Sequence, residues 1–273
     1  MTRKPDFIIA GAAKSATTWL QQSLQASPDI WMPDPELHFF SRSYGSGFPS
    51  YLRHFADAPP GALLGEKSNS YLTMPEAAGR IHRHLPGVRL VFQLRDPVAR
   101  AYSDYCMLFR RGEVDGDVAR HLGPDRAAQG RFLADGCYAD HLERFIALFG
   151  DEPILVLLYE DVRRDPHRQL RLLADHVGHS GALAPPLAER VKDARAAAVP
   201  RPLRRLVAPL RPVLDPIRGT APLRALRGLV ARPYRYPPLD PFLRDEIADF
   251  YKPQIARLAV LTGIDPEVWS SRG

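Results

Sequence analysis

The sequence predicts an α/β fold: a central parallel β-sheet flanked by helices. Three observations predict it. Short apolar runs alternate with amphipathic stretches along most of the chain. The clearest runs, Phe7 to Ala10, Leu90 to Leu94 and Ile154 to Leu158, are almost continuously apolar, as strands buried on both faces are. The last two run into polar residues, Arg95-Asp96 and Tyr159-Glu160-Asp161, at the edge where α/β proteins place ligands.

The first run is broken by Gly11, and small residues lead to Thr17, where Trp19, Leu20 and Leu24 set a helical period. A strand, a tight turn and a helix start make an anion site, because backbone N–H groups and the helix N-terminus both present positive charge. Lys14 adds a full charge there, and Ser15, Thr17 and Thr18 add hydroxyl donors. The loop is not Gly-x-x-x-x-Gly-Lys-Ser/Thr, since Lys14 follows Gly11 by three residues and no Gly-Lys pair comes after. Read blandly, it is a strand-to-helix turn with an exposed lysine.

Ile30 to Met32 is a short extended piece. Pro33 and Pro35 then fix the backbone ahead of Glu36-Leu37-His38-Phe39-Phe40. In an extended chain Glu36 and His38 share a face, and a carboxylate with an imidazole can work as a base and its partner. A solvated Glu and a core-edge His beside a Phe-Phe anchor is the plainer reading. Residues 44–60 read as a loop with one helical turn. Leu63-Leu64-Gly65 is a strand running into the polar cluster Glu66-Lys67-Ser68-Asn69-Ser70-Tyr71.

Pro75 to Leu85 is a modest helix stopped by Pro86-Gly87. Arg89 to Leu94 is the clearest strand, followed by Arg95 and the cap pair Asp96-Pro97. The helix after it sets Val98, Ala101, Tyr102, Tyr105, Leu108 and Phe109 on one face and carries Ser103 in its second turn. Arg95 and Ser103 suit a second phosphate; a salt bridge and an ordinary surface serine are the alternatives. Residues 110–136 read as a polar loop with a short helix. Helices follow over Tyr138 to Phe149 and Pro166 to Val177, on either side of the strand that begins at Ile154. The last helix spans Pro241 to Thr262 and is closed by Gly263.

The 273 residues are read as one domain, 1–273, with an Arg/Pro-rich segment at 200–238 and the C-terminal helix at 241–262. A hydrophobic content of 45% suits a globular core. Of the +6 net charge, Arg201 to Arg235 contributes nine arginines against Asp215, leaving the remainder near −2. That excludes a uniformly basic nucleic-acid binder. The segment reads as a surface cover, a clamp on an anionic ligand, or a peripheral contact with anionic lipid. Two cysteines, Cys106 and Cys137, fit neither a metal spacing nor a disulfide framework. With no apolar leader visible, the expectation is a cytoplasmic protein.

In order and spacing, these stretches resemble the sulfotransferases that use 3′-phosphoadenosine 5′-phosphosulfate (PAPS), in a bacterial-type form. Phe7-Ile-Ile-Ala-Gly11-Ala-Ala-Lys14-Ser15-Ala16-Thr17-Thr18-Trp19 resembles their 5′-phosphosulfate loop. Glu36-Leu-His38-Phe-Phe and Gly65-Glu66-Lys67-Ser68 resemble segments of the heparan sulfate branch, and Leu94-Arg95-Asp96-Pro97 through Ser103 its 3′-phosphate strand and helix. The likeness runs from residue 6 to about residue 178.

The resemblance implies a P-loop nucleotide-kinase-like fold and sulfuryl transfer from PAPS to a hydroxyl of a carbohydrate, lipid or secondary metabolite, with PAP as product and no metal. It implies Glu36 as the base, His38 as its partner, and Lys14 and Lys67 near the transferred group. It further implies Gly11, Lys14, Ser15, Ala16, Thr17, Thr18, Trp19, Arg95 and Ser103 at the nucleotide, and the basic segment, through Arg201 and Arg204 or through Arg232 and Arg235, is the candidate for the remaining nucleotide contacts. One departure is the lack of the cysteine pair that Golgi members carry near their C-terminus. Two rivals remain: a small-molecule kinase using ATP, and a non-catalytic nucleotide- or lipid-binding protein.

Overall fold

A computed structural model describes residues 3–186 and 235–269. The arginine-rich segment, including Arg201 and all but its last residue Arg235, lies outside the described residues. Five parallel strands form one sheet in the order β2-β3-β1-β4-β5. They are β1 (Phe7–Gly11), β2 (Ile30–Trp31), β3 (Leu63–Lys67), β4 (Arg89–Leu94) and β5 (Ile154–Leu158). β1 sits in the middle, paired to β3 on one side and β4 on the other. The chain crosses over β1 between β3 and β4, so the winding direction reverses there. A crevice at the carboxyl ends of the strands follows from that reversal.

The helices are α1 (Thr17–Gln25), α2 (Phe48–Arg53), α3 (Ala77–His84), α4 (Pro97–Arg111), α5 (Val118–Leu122), α6 (Pro124–Ala127), α7 (Arg131–Ala134), α8 (Tyr138–Phe149), α9 (Asp161–Arg164), α10 (Pro166–Val177) and α11 (Pro241–Thr262). One face of the sheet carries Ile8, Leu64, Leu90, Phe92 and Leu94 into a core with α3 and α8. The other carries Phe7, Ile9 and Val91 against α1 and α10. A third cluster joins α4 to α11 through Val98, Tyr105, Leu243, Ile247 and Tyr251. The period-2 alternation of each strand feeds both layers, which explains why the strands read as continuous apolar runs. Gly65 is the exception: a Cβ there would strike the Phe7 ring on the neighbouring strand. α11 is 22 residues long, but no described helix is long and apolar enough to cross a membrane.

Two local expectations change. Residues 110–136 hold three short helices, α5 to α7, whose Val118, Leu122, Phe132 and Leu133 are buried. Their polar, irregular sequence hid this, because single turns bury only one or two residues each. Residues 36–40 are not an extended strand. His38 adopts a left-handed backbone (φ 50°), and Phe39–Ser43 form a π-helical turn. The physical reason is burial: Phe39 and Phe40 are 3% and 0% exposed, and an extended strand would send them to opposite faces. The turn puts both into one aromatic cluster, with Phe39 4.9 Å from Tyr51 and Phe40 5.5 Å from Tyr71.

Candidate active site

Four strand ends build the site: the turn after β1, the residues after β3, Arg95-Asp96 after β4, and Tyr159-Glu160 after β5. The turn after β1 is the most constrained. Lys14 and Ala16 both have left-handed backbones (φ 71° and 60°), a conformation that glycine adopts freely and L-residues seldom do. Backbone of this kind gathers successive N–H groups into an anion-binding concavity at the start of α1. Gly11 lets the turn approach the polar segment after β3, where a Cβ would come 2.6 Å from that of Leu72.

The side chains of the loop suit an anion. Burial holds the Lys14 ammonium below its ordinary pKa; Asp104 opposes this, and Arg95 and Arg111 reinforce it. A desolvated cation among other cations gains most from an added negative charge. Ser15 is fully buried, and its hydroxyl has no hydrogen-bond partner among the described residues. Buried hydroxyls are normally satisfied, so a phosphate oxygen at this loop fits an observed vacancy in the bonding. Thr17 is buried and Thr18 half-buried at the first turn of α1. Trp19 packs its indole into the core beneath the sheet, and its backbone N–H donates to the Ala16 carbonyl at 2.8 Å.

Arg95 reaches back to this loop. Its guanidinium donates to the Lys14 carbonyl at 3.2 Å and stacks over the Tyr159 ring at 4.5 Å. Asp96 caps α4 by accepting from the Val98 N–H at 2.9 Å, while its own N–H donates to Glu160 at 2.9 Å. Ser103 is half-buried on the second turn of that helix.

Lys67, 3% exposed, joins the loop to Glu36. Its ammonium lies 2.9 Å from Glu36 Oε1 and donates to Thr18 Oγ1 at 3.2 Å. Glu36 Oε2 accepts from the Asn69 backbone N–H at 3.2 Å and stands 3.6 Å from His38 Nε2. The His38 ring is held from the other side by Ser70 Oγ, 2.7 Å from Nδ1. Burial, then the Arg42 charge, lowers the His38 pKa; Glu36 pulls it upward and Lys67 downward. His38 is therefore neutral at pH 7.

Beneath this pair lies a feature that spacing alone does not show. Glu66 is fully buried and accepts three hydroxyl hydrogen bonds: from Tyr51 and Tyr71 at 2.9 Å each, and from Ser68 at 2.8 Å. Ser68 Oγ in turn accepts the His38 backbone N–H at 2.8 Å. Burial pushes the Glu66 pKa up to about 7, with the three hydroxyl bonds working against the shift. The polar run from Glu66 to Tyr71 signalled a site at this strand end, but Tyr51, on α2, carried no signal because its role arises only from packing. Of the residues the sequence singles out, Lys14, Thr18, Glu36, His38, Lys67 and Arg95 come together here.

Known proteins similar to this chain bear on its family and fold. A model described as "Sulfotransferase family" matches residues 45–180. Heparan sulfate glucosamine 3-O-sulfotransferase 6 of Mus musculus is 31% identical over 181 residues, which are 64% of this chain and 53% of that protein. The bifunctional heparan sulfate N-deacetylase/N-sulfotransferase 3 of Homo sapiens is 32% identical over 184 residues, covering 60% of this chain and 21% of its own. A crystal structure of a sulfotransferase from Alicyclobacillus acidocaldarius has a TM-score of 0.71 at 26% identity, covering 98% of this chain and 99% of that one. The chain spans about half the length of the first of these curated relatives.

Proposed function

The chain belongs to the sulfotransferase family, and on that premise we propose that it transfers a sulfuryl group from PAPS to an acceptor hydroxyl. One observation carries the reading: Lys67 bonds both Glu36 and Thr18, so a candidate base is wired to the first turn of the anion-binding helix. A proton acceptor and an anion cradle held at one fixed separation suit an in-line group transfer, where positioning and electrostatics do most of the work.

When bound, PAPS would supply the sulfuryl group and a phosphate leaving group. Ser15, Thr17, Thr18 and the backbone N–H groups of the loop would hold its 5′ end, and Arg95 with Ser103 its 3′-phosphate. Lys14 would place its charge beside that leaving phosphate. Glu36 takes the proton of the acceptor hydroxyl at a carboxylate oxygen. Lys67 and the Asn69 N–H hold that carboxylate in place, and the neutral His38 ring lies beside it to receive or share the proton. Arg201 and a membrane contact through Arg201 to Arg235 remain part of the proposal, as does a cytoplasmic location.

Glu36→Gln tests the assignment. Transfer should fall by roughly 10²- to 10⁴-fold, the usual contribution of a positioned base, while PAP still binds in calorimetry. Lys14→Ala should weaken PAP binding as well. Transfer at the wild-type rate by Glu36→Gln would remove Glu36 from the reaction. Stabilisation by ATP with magnesium, and none by PAP, would point to a kinase instead.

A further inference from the structure

The two nitrogens of the His38 ring are held unequally. Nδ1 lies 2.7 Å from Ser70 Oγ. Nε2 stands 3.6 Å from Glu36 Oε2, beyond hydrogen-bond reach. From Ser70 the chain of contacts runs on: its hydroxyl is 2.6 Å from Ser41 Oγ, which lies 3.1 Å from the His38 carbonyl. Three short contacts therefore lead from Nδ1 back to the carbonyl of the same residue.

A neutral imidazole and two serines bring three protons to these contacts. The carbonyl can only accept, so Ser41 donates to it. The Ser41 oxygen then accepts from Ser70, and Ser70 accepts from Nδ1–H. Every short contact holds one proton, and Nε2 is bare. The other tautomer runs the chain backward: Ser41 donates to Ser70, Ser70 donates to Nδ1, and Nε2–H points at Glu36. Two acceptors, Ser41 Oγ and the His38 carbonyl, are then left facing each other at 3.1 Å, and the ring proton is spent on the 3.6 Å gap. Ser41 is buried, where an unmade hydrogen bond costs most.

We propose that Ser70, backed by Ser41, is a positioning residue that holds the His38 proton on Nδ1 and presents a bare Nε2 to Glu36. The choice of nitrogen sets the strength of the base. A bare Nε2 accepts from the Glu36 carboxyl once that group has taken a proton, which favours the protonated form. An Nε2–H would instead donate to the carboxylate, favour its charge and make it a weaker base. The charged groups around the pair, Lys67 on β3, Arg42 on the π-helical turn and the buried Glu66, are common to both tautomers. The consequence for catalysis rests on the sulfotransferase reading above; the place of the proton does not.

The test is long-range proton–nitrogen NMR of protein carrying isotope-labelled histidine, at about pH 8, above the ordinary histidine pKa. His38 is identified by the signals lost in His38→Gln. The wild-type ring should show a protonated Nδ1 and a bare Nε2. Ser70→Ala and Ser41→Ala should each move the proton to Nε2, Ser70→Thr should keep it on Nδ1, and calorimetric affinity for PAP should be unchanged in all three. The Glu36 carboxyl carbon should titrate at lower pH in Ser70→Ala than in wild type. Serines that only pack would leave the nitrogen shifts where they were. A wild-type ring protonated at Nε2 would overturn the proposal; so would Nδ1–H persisting in the alanine variants, or a Glu36 titration unmoved when the proton moves. Wild-type protein that fails to bind PAP would sink the sulfotransferase reading, while the nitrogen shifts still decide the place of the proton.

Discussion

Replacing Glu66 with glutamine should remove a large part of the pH dependence of stability. Glu66 is fully buried, and burial raises its pKa from an ordinary 4.5 to about 7. A carboxyl whose folded-state pKa lies above its unfolded value binds more protons when folded. The stability it contributes is complete below pH 4.5 and is lost as pH rises through 7. The interval of two to three pH units corresponds to about 3 kcal/mol, at roughly 1.4 kcal/mol per unit. Glutamine keeps a carbonyl oxygen for the Tyr51 and Tyr71 hydroxyls. Its N–H can donate to Ser68, whose oxygen also accepts from the His38 N–H. The variant therefore carries a fixed cost in place of a titrating one. Thermal unfolding of both proteins from pH 4.5 to 8 isolates the difference. The wild-type advantage should shrink by about 3 kcal/mol across that window, on the order of 10 °C in melting temperature for a chain of this size. A difference constant across the window would show that Glu66 keeps one protonation state there, and the burial argument would be wrong.

Ser68→Ala should cost about 1–3 kcal/mol, because it strips a hydroxyl from the buried carboxylate and an acceptor from the His38 N–H. The urea midpoint at constant m-value measures it, and transfer should fall too as the Glu36 turn loosens. Arg42→Ala should raise the His38 pKa, since the Arg42 charge is the second cause of its depression after burial; imidazole chemical shifts against pH report the direction. Lys67→Met should cut transfer by roughly 10²-fold or more by releasing Glu36 from its anchor, with PAPS kinetics as the readout.

Much of this was legible along the chain. The strands, the main helices and the loop carrying Lys14 could be read because their signals are local: apolar runs, caps, and small residues before a helix. The linkage of Lys14, Glu36, Lys67 and Arg95 into one site was implied by their places at strand ends and by family resemblance. The Tyr51–Glu66–Tyr71 hub was not legible, since a tyrosine fifteen residues from its acceptor has no periodicity to betray it. The extended reading of Glu36 to His38 failed for the same reason: the demand to bury Phe39 and Phe40 on one side comes from partners elsewhere in the chain.

The residues by themselves determined the layered architecture and the kind of chemistry at the loop, because backbone preference and side-chain charge act over a few positions. Only tertiary packing decided where Glu36 points, how Lys67 ties it to the helix, and that Glu66 is sealed from water. Those outcomes depend on distances between segments brought together by the parallel sheet, and no local pattern encodes them.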